Sequence, residues 1–280
     1  MHRRRHFIRM ALACLLTLNL QNAWGEPKVY SFGIVPQQSA GKLARLWGPL
    51  LAQLSEQTGD RIVFKTAPDI PTFERRLLAG EYDFAYMNPY HYTIFEQSNG
   101  YRALAKARDK KIKGIIVVRK DSPAQRITDL DGTTLAFPAP SAFAASILTR
   151  SNLRTAGVAF TPKYVSSHDS VYLTVARGLY PAGGGVMRTL NNVAPEIRNQ
   201  LRVLWTSQGY TPHAIAAHPR VSQKAVDRLR QALIDLELDD KGKALLEGIH
   251  INGFTAATDS DWDDVRALGL KDLSGLRVMP

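Results

Sequence analysis

Asp129-Leu130-Asp131-Gly132-Thr133-Thr134-Leu135-Ala136-Phe137-Pro138-Ala139-Pro140-Ser141-Ala142-Phe143-Ala144-Ala145-Ser146-Ile147-Leu148 is the stretch on which the fold turns. Asp-Leu-Asp-Gly is a turn signal. Thr133 to Phe137 is short and β-prone, and the alanine-rich run from Ala142 is helical. Strand, tight loop and helix follow one another here. The loop places Ser141 at or near the helix N-cap, where its hydroxyl can cap free amides or turn to a ligand. Free N–H groups and the positive dipole end make such a terminus suited to an anion.

The pattern repeats on both sides. Upstream, Val29–Val35 reads as a strand. Leu43, Leu46, Trp47, Leu50, Leu51 and Leu54 then recur at helical spacing, and Gly59 ends the run. Arg61–Thr66, a helix through Phe73 and Leu77, the strand Asp83–Met87 and a helix opening at Asn88 complete βαβαβα, the signature of a parallel sheet covered by helices. Ligands of such sheets collect beyond the C-terminal strand ends. Tyr101–Ala107 and Gly114–Arg119 are further strands, with the basic Arg108-Asp109-Lys110-Lys111 expected as a solvated hairpin tip.

Downstream the alternation restarts. Lys163–Val165, a helix from Val171, the glycine-rich Ala182–Met187, a helix from Arg188 to Asn199 and the strand Leu201–Trp205 follow in turn. Asp169 and Ser170 are expected to cap the Val171 helix. His213–Ala217 reads as a crossing strand, and a helix begins near Ser222. The expected architecture is α/β, with a second unit inserted into the first. Lobe 1 is formed by 26–115 and 206–280, the latter carrying C-terminal helices, and lobe 2 by 116–205.

The 280 residues carry a formal net charge of +11, of which four arginines in residues 1–25 supply +4, leaving +7. That segment has a basic start, a short apolar run Met10–Leu20 and a small-x-small site at Ala23-Trp24-Gly25. It reads as a signal peptide, with Arg4-Arg5 compatible with either Sec or twin-arginine export to the periplasm. The lone Cys14 falls in it, so the exported chain has no disulfide, thiolate metal site or cysteine nucleophile. A basic exported surface suits an anionic ligand and disfavours nucleic acid. No metal-ligand spacing, nucleophile elbow, P-loop or dinucleotide fingerprint is present, so neither an enzyme nor a cofactor is expected.

Phe32-Gly33-Ile34-Val35-Pro36, Ala67-Pro68-Asp69, Gly80-Glu81-Tyr82-Asp83-Phe84-Ala85, Asp129-Leu130-Asp131-Gly132, Pro138-x-Pro140-Ser141, Ser167-His168-Asp169-Ser170 and Val175-Ala176-Arg177-Gly178 stand together in one order. Over roughly residues 28–250 the chain resembles the periplasmic solute-binding subunits of phosphate, phosphite and phosphonate ABC importers. The resemblance implies a type II binding protein, two α/β lobes joined by crossing strands, closing on an oxyanion. Phosphonate binders carry several hydroxyls at the helix start of the second lobe; only Ser141 matches, followed by Ala142. The family's histidine matches His168, and the tip of the third strand matches Tyr86-Met87-Asn88. Where a tyrosine follows Ala-Pro-Asp in the family, this chain has Ile70, and Pro181 replaces a frequent Asp. Tyr90 and Tyr92 extend the aromatic cluster at that tip, and Gln37 or Gln38 can supply an amide. Arg188 can meet an anion with its guanidinium. The expected ligand set is Ser141, Ala142, His168, Tyr86, Asn88, Gln37 and Arg188, in a monomer that serves an ABC permease. A periplasmic sensor subunit for a histidine kinase and a periplasmic hydrolase remain as alternatives.

Overall fold

The structure, a computed structural model, describes residues 26–270. The expected signal peptide, the export route and residues 271–280 lie outside them. Strands β1 (Val29–Ile34), β2 (Arg61–Lys65), β3 (Phe84–Met87), β4 (Arg102–Ala107), β10 (Ala214–Ala217) and β11 (Phe254–Ala256) form one sheet, ordered β11-β4-β10-β3-β1-β2. Strands β5 (Gly114–Arg119), β6 (Thr133–Phe137), β7 (Phe160–Tyr164), β8 (Ala182–Val186) and β9 (Leu201–Thr206) form the other, ordered β7-β6-β8-β5-β9. In each sheet the strand that has just crossed from the other lobe, β10 or β5, runs antiparallel to both neighbours. Of the remaining pairs, β4–β11 is antiparallel, and β1–β2, β1–β3, β6–β7 and β6–β8 are parallel. This is the type II binding-protein arrangement.

Helix α1 (Ala40–Thr58) lies on the first sheet because Leu43, Trp47, Leu50, Leu51 and Leu54 form one buried stripe. Each such side chain stabilises by about 1.5–3 kcal/mol on full burial. The helix stops at Gly59, which takes φ 72°, a conformation that costs a residue with a Cβ. Asp69 caps α2 (Ile70–Leu78), accepting from Thr72 N at 2.7 Å. Asn88 caps α3 (Pro89–Asn99), accepting from His91 N at 2.8 Å. These caps fix where strands give way to helices, and hence where the cleft-facing loops stand.

Three local expectations are corrected. Arg108–Lys111 is not a hairpin tip: β4 pairs with β10 and β11, whereas β5 pairs with β8 and β9. The segment is the first crossover between lobes, and Ile112 bridges antiparallel to Tyr210 of the return crossover. The second sheet accordingly begins at Gly114 and ends at Thr206, so the divides placed at 115/116 and 205/206 fall inside strands. The expected helix 188–199 is broken into Met187–Asn191 and Pro195–Arg198. Pro195 has no N–H and pushes Ala194 to ψ 136°, which prevents one continuous helix.

Candidate functional site

The loops after β1 and β3 meet the loops after β6, β7 and β8 across the cleft. In the second lobe, β6 leads through Pro138–Ser141 into α4, a π-turn opening (Phe143–Leu148) that continues as regular helix (Thr149–Thr155). Its first internal bonds run from Ser146 N (2.7 Å) and Ile147 N (3.2 Å) to Ala142 O. The amides of Phe143, Ala144 and Ala145 precede those turns and have no partner among the described residues. The helix lies very close to the sheet. A Cβ on Gly184 would stand 1.9 Å from Ala145 O, and one on Gly114 2.2 Å from Ala144 O. Gly184 of β8 and Gly114 of β5 thus serve the approach of another backbone.

Helix α5 (His168–Ala176) begins earlier than expected, with His168 in its first turn. Its cap is Ser167, which accepts from Ser170 N at 3.1 Å, and not Asp169 or Ser170. Asp169 instead reaches the first lobe, accepting from Gln38 Nε2 at 3.1 Å and lying 3.8 Å from Lys42 Nζ. The His168 amide donates to Gln37 O at 3.0 Å, so both lobes touch at this turn.

The His168 ring is buried. Nδ1 lies 3.0 Å from Thr189 Oγ1, while Nε2 has no partner among the described residues. Thr189 Oγ1 also lies 3.0 Å from Val186 O, which the Tyr172 hydroxyl serves at the same distance; with Tyr172 donating there, Thr189 donates to Nδ1 and Nε2 carries the proton as a free donor. Burial, then the Arg188 charge, pushes the imidazole pKa down to about 3. It is therefore neutral near pH 7. His213 lies opposite, stacked on Tyr86 at 4.8 Å and 14°, and its Nε2 is also buried and unpartnered. Burial, followed by Arg188, His91 and His168, holds it well below the ordinary value. The two rings share one cavity of about 10 Å³ with Gln37, Asn88, Ala142 and Ala144. That space admits roughly one water, so the lobes are closed on each other.

Several expected residues do take part in this closure. Asn88 Nδ2 donates across the cleft to Ser141 O at 3.1 Å. The Arg188 guanidinium donates to Gln37 Oε1. Ala142 and His168 line the cavity, and Tyr86 backs His213. Two placements differ from expectation. Ala142, not Ser141, is the N-cap of α4, without a side-chain cap. The Ser141 hydroxyl donates to Glu74 Oε1, which also lies 2.8 Å from His91 Nε2. Tyr92 is directed away, donating to Asp259 at 3.0 Å and packing on Trp262. Glu74 and His213 were not singled out by the sequence. Glu74 had a signal, since it shares the buried face of α2 with Ile70, Phe73 and Leu77, and a carboxylate in an apolar stripe needs partners.

The family model for the ABC transporter, phosphonate, periplasmic substrate-binding protein matches residues 32–262. The chain belongs to that family. Phosphate-import protein PhnD of Mycolicibacterium smegmatis is 23% identical over 309 residues, covering 94% of this chain and 95% of that protein. Two solved structures each superpose with a TM-score of 0.80. One is the binding component of an ABC phosphonate transporter from Pseudomonas aeruginosa (19% identity, 87% of this chain and 86% of that one). The other is PhnD1 from Prochlorococcus marinus in complex with methylphosphonate (17% identity, 87% and 97%). Family members are periplasmic substrate-binding components of transporters, and among the described residues no helix is long and apolar enough to cross a membrane. Among the same residues no group of three or more His, Cys, Asp or Glu side chains could hold a metal ion. Within the family frame, the second-lobe helix of this member offers backbone amides where hydroxyls were expected. Its one hydroxyl, Ser141, is turned to a first-lobe carboxylate.

Proposed function

We propose that this chain binds a small phosphorus oxyanion between its lobes in the periplasm and delivers it to an ABC permease. The observation that carries this reading is the convergence of two neutral imidazoles, His168 and His213, with unpartnered Nε2 atoms, on one cavity beside the opening of α4. Buried polar atoms without partners are rare and costly, and a ligand oxygen would satisfy both. The unspent amides of Phe143 to Ala145 add dipole-aligned donors. The cavity is too small for an oxyanion as it stands, so entry requires the lobes to part about the two crossovers. The basic start and short apolar run of residues 1–25 support export.

Calorimetric titration with methylphosphonate, phosphate and phosphite tests the reading. A hydrogen bond to a charged group contributes about 1.5–3 kcal/mol, so His168→Ala and His213→Ala should each weaken the best ligand by about ten- to a hundredfold. Unchanged affinity in both variants would place the site elsewhere.

A further inference from the structure

Outside Tyr86 and His213 the cleft opens into a second cavity of about 380 Å³, against about 10 Å³ for the inner one. The first crossover, misread in the sequence as a solvated tip, forms one wall with Lys110, Lys111 and Lys113, and Arg188 enters from the second lobe. Among the described residues no carboxylate lines this space.

The charges here are largely uncompensated. Lys110 donates to the His250 carbonyl at 3.0 Å and Arg188 to the Gln37 amide oxygen, both neutral acceptors. Lys111 alone has an acidic partner, Asp264 at 3.4 Å. Among the described residues, Lys110, Lys113 and Arg188 form no ion pair. Burial, and then the Arg188 and Lys110 charges, hold the His250 imidazole below its ordinary value. Glu247 acts on His250 from beyond the lining and Asp264 is taken by Lys111, so a tail bearing an ammonium would meet mostly like charge here, and a neutral tail would leave three cations unpaired beside it.

We infer that the ligand carries a second anionic group: a phosphorus oxyanion held by the inner groups, joined through a short linker to a carboxylate or phosphoryl group among Lys110, Lys113 and Arg188. This rests on the proposed oxyanion site and assigns what lies outside it.

Three ligands that differ only in the tail test it: 3-phosphonopropionate (anionic), propylphosphonate (neutral) and 3-aminopropylphosphonate (cationic). The anionic tail should bind about tenfold tighter than the neutral one at low salt, and the cationic tail weaker still, as expected for partly exposed charge pairs. The preference should shrink as salt is raised, through screening. In the Lys110→Gln/Lys113→Gln variant the anionic advantage should fall to about twofold, with a smaller loss for propylphosphonate than for 3-phosphonopropionate. Equal affinities for the three tails, or preference for the ammonium, would overturn this inference alone. Failure of all three to bind, together with methylphosphonate, would remove the oxyanion site as well.

Discussion

His168 and His213 are kept neutral by the fold, and this creates a pH dependence of stability. The His168 pKa falls from 6.5 to about 3 on folding, and His213 shifts the same way. Below pH 6.5 the unfolded chain takes up protons that the folded rings refuse, so stability is full above that value and declines as pH falls toward 3. The slope is about 1.4 kcal/mol per pH unit for each fully titrating ring. Urea unfolding from pH 8 to pH 4 should show the loss, and His168→Gln should lose less. Parallel pH curves for the two proteins would contradict the buried, neutral imidazole. At this scale the sequence located His168, Asn88 and Gln37 through their positions after strands. It did not reveal Ser141's partner. Glu74 is far away in the chain and becomes a neighbour only when the lobes close, and no local pattern encodes that meeting. His213 was hidden differently, at the start of a crossing strand, where its ring lies against Tyr86.

Among the elements, β8 packs very closely against the α4 opening. A methyl group on Gly184 would collide with the Ala145 carbonyl at 1.9 Å and with Phe137 at 2.8 Å. Backbone cannot yield as a side-chain tip can, so Gly184→Ala should destabilise by about 3 kcal/mol or more. It should also displace the α4 opening and weaken anion binding. Chemical denaturation and calorimetry on the one variant report both, and wild-type stability would show that the helix stands off the sheet. Strands and helices were largely legible because hydrophobic spacing is local. β6 was read to its residue limits, and Asn88 and Ser222 stand at the caps where turn chemistry puts them. The Arg108–Lys111 crossover was not legible. Two neighbouring strands with a polar link suit a hairpin as well as a crossing, and only the choice of distant partners separates the two.

For the whole molecule, polar bonds between the lobes hold the closed arrangement: Asn88 to Ser141, Ser141 to Glu74, His168 to Gln37, Gln38 and Lys42 to Asp169, and Arg188 to Gln37. Individually these contribute about 0.5–1.5 kcal/mol, more where charged, and they compete with an incoming anion for the same groups. Small-angle scattering should therefore give the unliganded protein a compact radius of gyration. A Ser141→Ala/Asp169→Ala variant should expand until ligand is added. An expanded wild type that contracts on binding would show that the lobes close only around a guest. The two-lobe plan was legible from the restarted alternation, while the closed state was not, since it depends on pairings between loops far apart in the chain. The placement of β10 has a consequence for biogenesis. The second lobe is one unbroken stretch and can complete its sheet once β9 has emerged. The first lobe cannot, because β10 must arrive late and slot between β3 and β4. Until then both strands present bare edges, which attract other chains. The outer edge of β4 waits longer still, for β11, so the nascent first lobe keeps open edges until nearly the whole described chain has emerged.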